Sequence, residues 1–206
     1  MITFMDYMKV DLPVALRMDF PLPVVVVSCS LPDGSKPNLI TVSAVSGACH
    51  DPPMWGVAIG HSRHSYGIMA EGDSFVINVP SKRHVGVVEY CGSHSGRKVD
   101  KFKECGLMPM AHSVSSPCIR EFPLNIECSI AQSVDLGGHE FFFGEIKAVQ
   151  AHDGVLNGGG GLNLTKLSPV TAFQFKYYEL GERVRAQDDP LKSTATSTIT
   201  SSGRRA

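Results

Sequence analysis

The chain has 206 residues, 43% of them hydrophobic and 19% charged, and a formal net charge of −1. That length fits one domain with short extensions and a core that needs no disulfides. The charge balance excludes the basic excess of a general nucleic-acid binder, and no apolar run reaches the length of a membrane span.

The opening MITFMDYMKVDLP has no basic region followed by an apolar core, so no secretory signal is expected. Residues 1–22 read as a lead-in segment, since Pro13, Pro21 and Pro23 discourage a long helix. Val24 to Ser30 is a β-branched run of strand length, apolar enough at its start to be buried on both faces. Asp33-Gly34 marks a turn. Asn38 to Gly47 is the second strand, rich in small hydroxyl residues. Asp51-Pro52-Pro53 breaks it, and Met54 to Ile59 is the third strand.

A short polar and basic run, His61 to Ser65, precedes a helix over Tyr66–Glu71 with Ser62 or Ser65 as its cap. Ser74 to Val79 is the fourth strand. Ser81 caps a helix over Lys82–Cys91 that Gly92 closes. Asp100 to Cys105 is a helical turn, and Cys118–Ile119 a short strand. Asn125–Val134 and His139–His152 form a hairpin around Asp135-Leu136-Gly137-Gly138, with Glu145 and Lys147 on one face. The glycine run 158–161 lacks the GK[ST] of a phosphate loop and reads as a flexible loop. Val170 to Tyr178 is the closing strand. Residues 1–186 are expected to form the domain, and the Ser/Thr-rich 187–206 a disordered tail. The pattern is mainly β: an antiparallel barrel with short helical insertions rather than a doubly wound α/β sheet.

The six cysteines, at 29, 49, 91, 105, 118 and 128, contain no CxxC pair. They predict reduced, mostly buried thiols in a cytoplasmic protein. Adjacent Cys49 and His50 point apart on a strand, and His61-x-x-His64 has no partner cluster, so no metal site is expected. No GxSxG marks a serine nucleophile.

Three stretches suit a flat ligand with a phosphate tail. Thr41, Val42, Ser43, Ala44 and Ser46 let such a ligand approach the backbone, although by composition alone they describe a strand with hydroxyls toward solvent. Ser62-Arg63-His64-Ser65 stands before a helix, where free N–H groups and a guanidinium can hold a phosphate; the same residues also read as a solvated cap. Cys91 to Gly96, followed by Asp100-Lys101-Phe102, forms a loop able to approach a ligand closely, or simply a helix exit.

In their order and spacing these segments resemble the flavin reductase family, most closely its flavoredoxin-type members. The likeness runs from about Pro23 to Val184. It is carried by Pro23–Ser28, Asn38–Ser43, Asp51-Pro52-Pro53, Ser65 before Ile68, Phe75–Val79, Cys91-Gly92, Ser95-Gly96, Asp100–Phe102, Gly106-Leu107 and Tyr177–Glu182. The resemblance implies an FMN-binding split β-barrel, usually a homodimer; FAD is also accommodated by such a phosphate motif. It implies that Thr41 to Ser46 face the flavin ring, that Ser62, Arg63 and Ser65 hold the phosphate with Lys101 assisting, and that Ser95 and Gly96 border the pocket. His139 falls where reductases place a histidine near the nicotinamide of NADH or NADPH. Gly138 stands where an acidic residue is common, and Ala44 where a tryptophan is common.

The resemblance therefore implies hydride transfer from NAD(P)H to FMN, with a monooxygenase component or another redox partner protein downstream. The alternatives are a flavoredoxin-type electron carrier with bound FMN, reduced by a partner, and a ligand-binding barrel without redox activity.

Overall fold

The computed structural model describes residues 9–12, 20–110 and 113–183; the tail at 187–206, the boundary at residue 186 and most of the lead-in lie outside the described residues. Among the described residues the strands are β1 (Leu22–Pro23), β2 (Val25–Cys29), β3 (Asn38–Val42), β4 (Val45–His50), β5 (Pro53–Gly60), β6 (Ser74–Val79), β7 (Pro109–Met110), β8 (Cys118–Ile119), β9 (Leu124–Asp135), β10 (His139–Ala151), β11 (Val170–Phe173) and β12 (Lys176–Glu179). Among the described residues the helices used below are α1 (His64–Glu71), α2 (Val85–Ser93), α3 (Lys101–Glu104) and α4 (Leu164–Leu167).

Seven strands form one antiparallel sheet in the order β3-β2-β6-β9-β10-β5-β4. Its two outermost strands, β3 and β4, are consecutive in the chain and joined only by Ser43 and Ala44. The Ala58 N–H of β5 donates to the Ala44 carbonyl (2.9 Å), so the sheet curls until its ends meet. The sequence pattern predicted one strand over Asn38–Gly47, and the structure corrects this. In an unbroken strand Val42 and Val45 would face opposite sides. Both are buried in the same interior cluster, because the kink at Ser43-Ala44 resets the alternation.

Strand β2 shows why its sequence is apolar throughout. Val25 and Val27 point into the barrel with Val57, Phe75, Ile77 and Phe142. Val24 and Val26 point outward into a second cluster with Leu39, Val88, Phe102, Ile119 and Phe122. Each fully buried valine contributes roughly 1.5–3 kcal/mol. The second cluster is what holds α2 and α3 against the barrel. Asn78, fully buried in β6, ties the layers together: its Nδ2 donates to Val26 O (2.8 Å), and its Oδ1 accepts from Ile119 N–H (2.9 Å).

The β9–β10 hairpin turns at Gly137 (φ +84), and Lys147 pairs with Glu145 on the expected shared face (2.8 Å). Three local expectations are corrected. Helix α1 starts at His64 with Arg63 at its N-cap position and no side-chain cap, so neither Ser62 nor Ser65 caps it. Helix α2 runs through Gly92 to Ser93; a Cβ on Gly92 would stand 3.3 Å from Thr41 Cβ, so the glycine serves close helix–strand packing. The single strand expected over 170–178 is a hairpin, β11–β12, turning on Gln174 (φ +48) and Phe175 (φ +61). The glycine run at 158–161 folds around Asn157, whose Oδ1 accepts from the Gly159 and Gly161 N–H groups (3.0 Å each).

The entry to α2 carries a pH dependence. Ser81 N–H donates to His84 Nδ1 (3.1 Å), which requires that nitrogen unprotonated, and the ring stacks on Phe122 at 4.6 Å. Burial, reinforced by the Arg83 charge, pushes the imidazole pKa down from 6.5 to about 4. Between those values the unfolded chain takes up a proton that the folded chain refuses. Stability should therefore fall as pH drops from 6.5 to 4, by at most about 3 kcal/mol. His84→Gln should flatten that part of a Tm-against-pH curve; an unchanged slope would assign the dependence to other groups.

Candidate functional site

Two adjoining cavities open beside the barrel seam, and Arg63 stands in the wall of both. The first, about 150 Å³, lies between the start of α1, the end of α2 and α3. Ser62, Arg63, His64 and Ser65 wall one side; Gly92 to Gly96 wall the other; Asn38 and Lys101 form its base. The second is a groove of about 220 Å³ along the kink, walled by Ile40 to Ala44 and by Ala58 to Gly60, with His139 at its lip.

Lys101 sets the electrostatics of the first cavity. Asp100 caps α3 by accepting from Lys103 N–H (3.2 Å), which turns Lys101 inward, and only 4% of it is exposed. Its Nζ donates to Leu39 O and Cys91 O, 2.7 Å each. Cys91 lies in the last turn of α2, so the ammonium also covers a free helix carbonyl. One of its three donors is left for the cavity.

The charge has no acidic partner among the described residues. The nearby thiols do not supply one. Burial pushes Cys29 and Cys91 up to about 12 and raises Cys105, so all three stay neutral at pH 7. Desolvation lowers the Lys101 pKa. A buried cation without a counter-charge is costly, and a bound anion relieves that cost.

The cavity's shape is held from below. Asn38 Nδ2 donates to Ser65 Oγ (2.8 Å), both side chains being buried. Gly96 lies directly against this pair: a Cβ there would be 2.1 Å from Asn38 Oδ1. Ser95 Oγ accepts from Arg97 N–H (3.3 Å) and closes the loop. A phosphate group suits this donor set: one buried ammonium, the Arg63 guanidinium, and the hydroxyl of Ser62.

The groove offers a different chemistry. Strand β3 has a ladder partner on one side only. At the kink the Ser43 and Ala44 N–H groups donate to no backbone carbonyl among the described residues. Small side chains leave this edge open to a planar ligand. Thr41 Oγ1 is already engaged, donating to Val88 O (2.5 Å) and fixing β3 against α2. His139 pairs in register with Gly60, and His61 N–H donates to Gly138 O (3.3 Å), which ties the lip of the groove to the segment that leads into the first cavity.

Of the residues singled out from the sequence, Thr41, Val42, Ser43, Ala44 and His139 line the groove, while Ser62, Ser65, Ser95, Gly96 and Lys101 line the first cavity. Arg63 joins them. Ser46 is apart: it is exposed on β4, and its Oγ donates to Gly47 O. His64, part of the basic run before α1, lines the first cavity as well, and so does Asn38, to which sequence reasoning gave no role in the site. The signal for Asn38 was present, an amide opening an otherwise apolar strand, which has to find a buried partner.

Residues 17–180 match the family described as flavin reductase like domain. Among solved structures, the flavoredoxin from Methanosarcina acetivorans superposes with a TM-score of 0.81 at 27% identity, covering 92% of this chain and 100% of that one. The flavoredoxin of Desulfovibrio vulgaris (Miyazaki F) gives 0.78 at 29% identity, covering 89% and 99%. An uncharacterized protein of Archaeoglobus fulgidus is 34% identical over 129 residues, 62% of this chain and 73% of that one. The family match extends from the lead-in to the last strand. The chain belongs to the flavin reductase-like family, and its barrel is the split barrel of that family.

Proposed function

We propose that this protein is an FMN-binding oxidoreductase of flavin reductase type that uses NADH or NADPH as electron donor. The observation that carries the reading is the buried Lys101 ammonium, without an acidic partner among the described residues, facing a phosphate-sized cavity that joins, through Arg63, a groove beside the outer edge of β3. When bound, the flavin would supply the redox chemistry, accepting a hydride from the nicotinamide and passing electrons onward.

The chain's own residues bind and orient. Lys101, Arg63 and Ser62 would hold the phosphate, with Ser65, Ser95 and Gly96 shaping the wall around it. The Ser43 and Ala44 amides would meet the polar edge of the ring, with Thr41 and Val42 alongside. His139, exposed at the lip, would contact the nicotinamide. No side chain is needed as acid or base at the ring.

A second reading has its own support. Gly138 precedes His139 without a carboxylate to fix the ring, and the two flavoredoxins are similar over nearly all of this chain. A flavoredoxin-type carrier, reduced by a partner protein, would retain FMN and ignore nicotinamides. In either case the proposal includes a cytoplasmic homodimer and a redox partner such as a monooxygenase component. The exposed Val134 and Leu136 of the β9–β10 hairpin support an association surface.

The test is the visible absorption spectrum of purified protein supplied with FMN, before and after anaerobic NADH and NADPH. A flavin spectrum bleached by either nucleotide is the expected result. A flavin spectrum that neither nucleotide alters would favour the carrier. Absence of flavin uptake would overturn both and leave a barrel for another ligand.

A further inference from the structure

A third hollow, of about 470 Å³, adjoins both cavities of the proposed flavin site. It shares Thr41, Ser43 and Arg63 with the groove, and Arg63, Gly92 and Ser93 with the first cavity. The flavin reading gives it no occupant, and its remaining walls are of another kind. Leu22, Val24, Ala172, Phe175 and Tyr177 make them apolar and aromatic, and Glu89 is the one carboxylate among the described residues of the wall. Apolar walls with a few polar groups, at this size, suit a small organic molecule.

Phe175 is the unusual member. It is fully exposed and sits in the turn of the β11–β12 hairpin, where Gln174 (φ +48) and Phe175 (φ +61) both take the left-handed backbone. Two-residue turns of this kind favour Asn-Gly, and a bulky aromatic is costly there. The turn therefore does not account for the phenylalanine, and an exposed ring contributes nothing to the core. What the ring does have is a place in the wall of the hollow. Gln174 beside it brings an amide, and Tyr177 brings a phenol. Tyr177 packs against the second cluster. Burial, then the Glu89 charge, holds its pKa above the ordinary value, so the phenol is a hydrogen-bond donor at neutral pH.

We infer that this hollow is a second-substrate site for a planar, uncharged quinone, with Phe175 stacking on the ring and Tyr177 and Gln174 donating to a carbonyl oxygen, so that electrons leave the protein to a small molecule as well as to a partner protein. The inference rests on the proposed flavin site, which the hollow adjoins along Thr41 and Ser43. Flat apolar walls take an aromatic ring, the two donors take carbonyl oxygens, and Glu89 disfavours an anion. The cation in the wall, Arg63, is already assigned to the flavin phosphate. The reaction balances with the donor already proposed: NAD(P)H gives a hydride, solvent gives a proton, the two quinone carbonyls become hydroxyls, and NAD(P)⁺ is released.

The test is calorimetric titration of the oxidised, FMN-supplied full chain with menadione, without any nicotinamide, so that binding is read in the absence of turnover. Phe175→Asn is the main variant, because asparagine tolerates the left-handed backbone and keeps the turn. Menadione affinity should fall about tenfold in Phe175→Asn and about fivefold in Tyr177→Phe, with FMN affinity unchanged in both. Lawsone, a hydroxynaphthoquinone that is anionic at neutral pH, should bind the parent more weakly than menadione, and Glu89→Gln should narrow that difference about threefold. Equal menadione affinity in parent and Phe175→Asn, or no menadione binding to a parent that takes up FMN, overturns the quinone site and leaves the flavin reading standing. Displacement of menadione by NAD⁺ would give the hollow to a nicotinamide nucleotide, and displacement of FMN by menadione would put the quinone in the ring groove; either overturns it as well. A parent chain that takes up no flavin would instead refute the proposed function, and the quinone site with it.

Discussion

Lys101→Met should lower FMN affinity roughly a hundredfold, about 2.7 kcal/mol, and leave riboflavin affinity where it was. The two ligands differ only in the phosphate, so their ratio isolates the ammonium. The reasoning is electrostatic. Lys101 is 4% exposed, has no acidic partner among the described residues and is surrounded by thiols that burial keeps neutral. Its attraction for a phosphate is therefore weakly screened. Methionine matches the length of the stem and removes the charge. Without ligand, relief of desolvation should offset the two lost bonds to Leu39 O and Cys91 O, leaving stability within about 1 kcal/mol of the parent. Calorimetric titration with FMN and riboflavin, alongside a thermal melt of the ligand-free protein, reads both quantities. Equal affinities for FMN in parent and variant would refute the phosphate role of the cavity.

Gly96→Ala should be nearly as damaging to FMN binding, by about tenfold to a hundredfold, for a steric reason. The new Cβ would lie 2.1 Å from Asn38 Oδ1, far inside contact distance. Asn38 cannot simply swing away, because it is buried and its Nδ2 is bonded to Ser65 Oγ. Breaking that buried bond costs about 1–3 kcal/mol. The alternative is that the loop after α2 shifts outward and takes Ser95 out of the cavity wall. Either response deforms the proposed seat of the phosphate and spares the groove proposed for the ring. Riboflavin binding should therefore change little, and Asn38→Ala combined with Gly96→Ala should recover part of the loss by making room. A double variant no better than Gly96→Ala alone would show that the clash is not the cause.

Much of this architecture could be read from local pattern. The two-sided burial of β2 was written in four consecutive valines, the β9–β10 hairpin in two alternating runs around Gly137-Gly138, and α3 in Asp100 and Gly106. What escaped were features whose cause lies outside the local window. Ser43-Ala44 carries no turn residue, and only closure of the barrel forces the strand to kink there. Gln174-Phe175 is a tight turn made without glycine, asparagine or proline. Gly92 reads as a helix stop, yet close packing on Thr41 keeps it inside the helix.

The candidate site divides in the same way. The basic run around Arg63 and the loop carrying Lys101 stood out by composition. The contact of Asn38 with Ser65 spans 27 residues, and that of Lys101 with Leu39 spans 62, so no periodicity could reveal either. The sequence also left Ser46 beside Ser43 as an equal candidate. The kink separates them, sending one to the groove and the other to the exposed face of β4.

The free edge of β3 has a meaning beyond recognition. A strand edge with unpaired N–H groups is a template for pairing with another chain, and proteins usually blunt such edges with charge, proline or cover. At Ser43-Ala44 the residues themselves are small and uncharged, and the charge nearest this edge among the groove's walls is Arg63. A bound planar ligand would occupy those same amides. Its presence then does for the seam what an additional strand would do, and the ligand-free chain is the form most exposed to edge-to-edge aggregation.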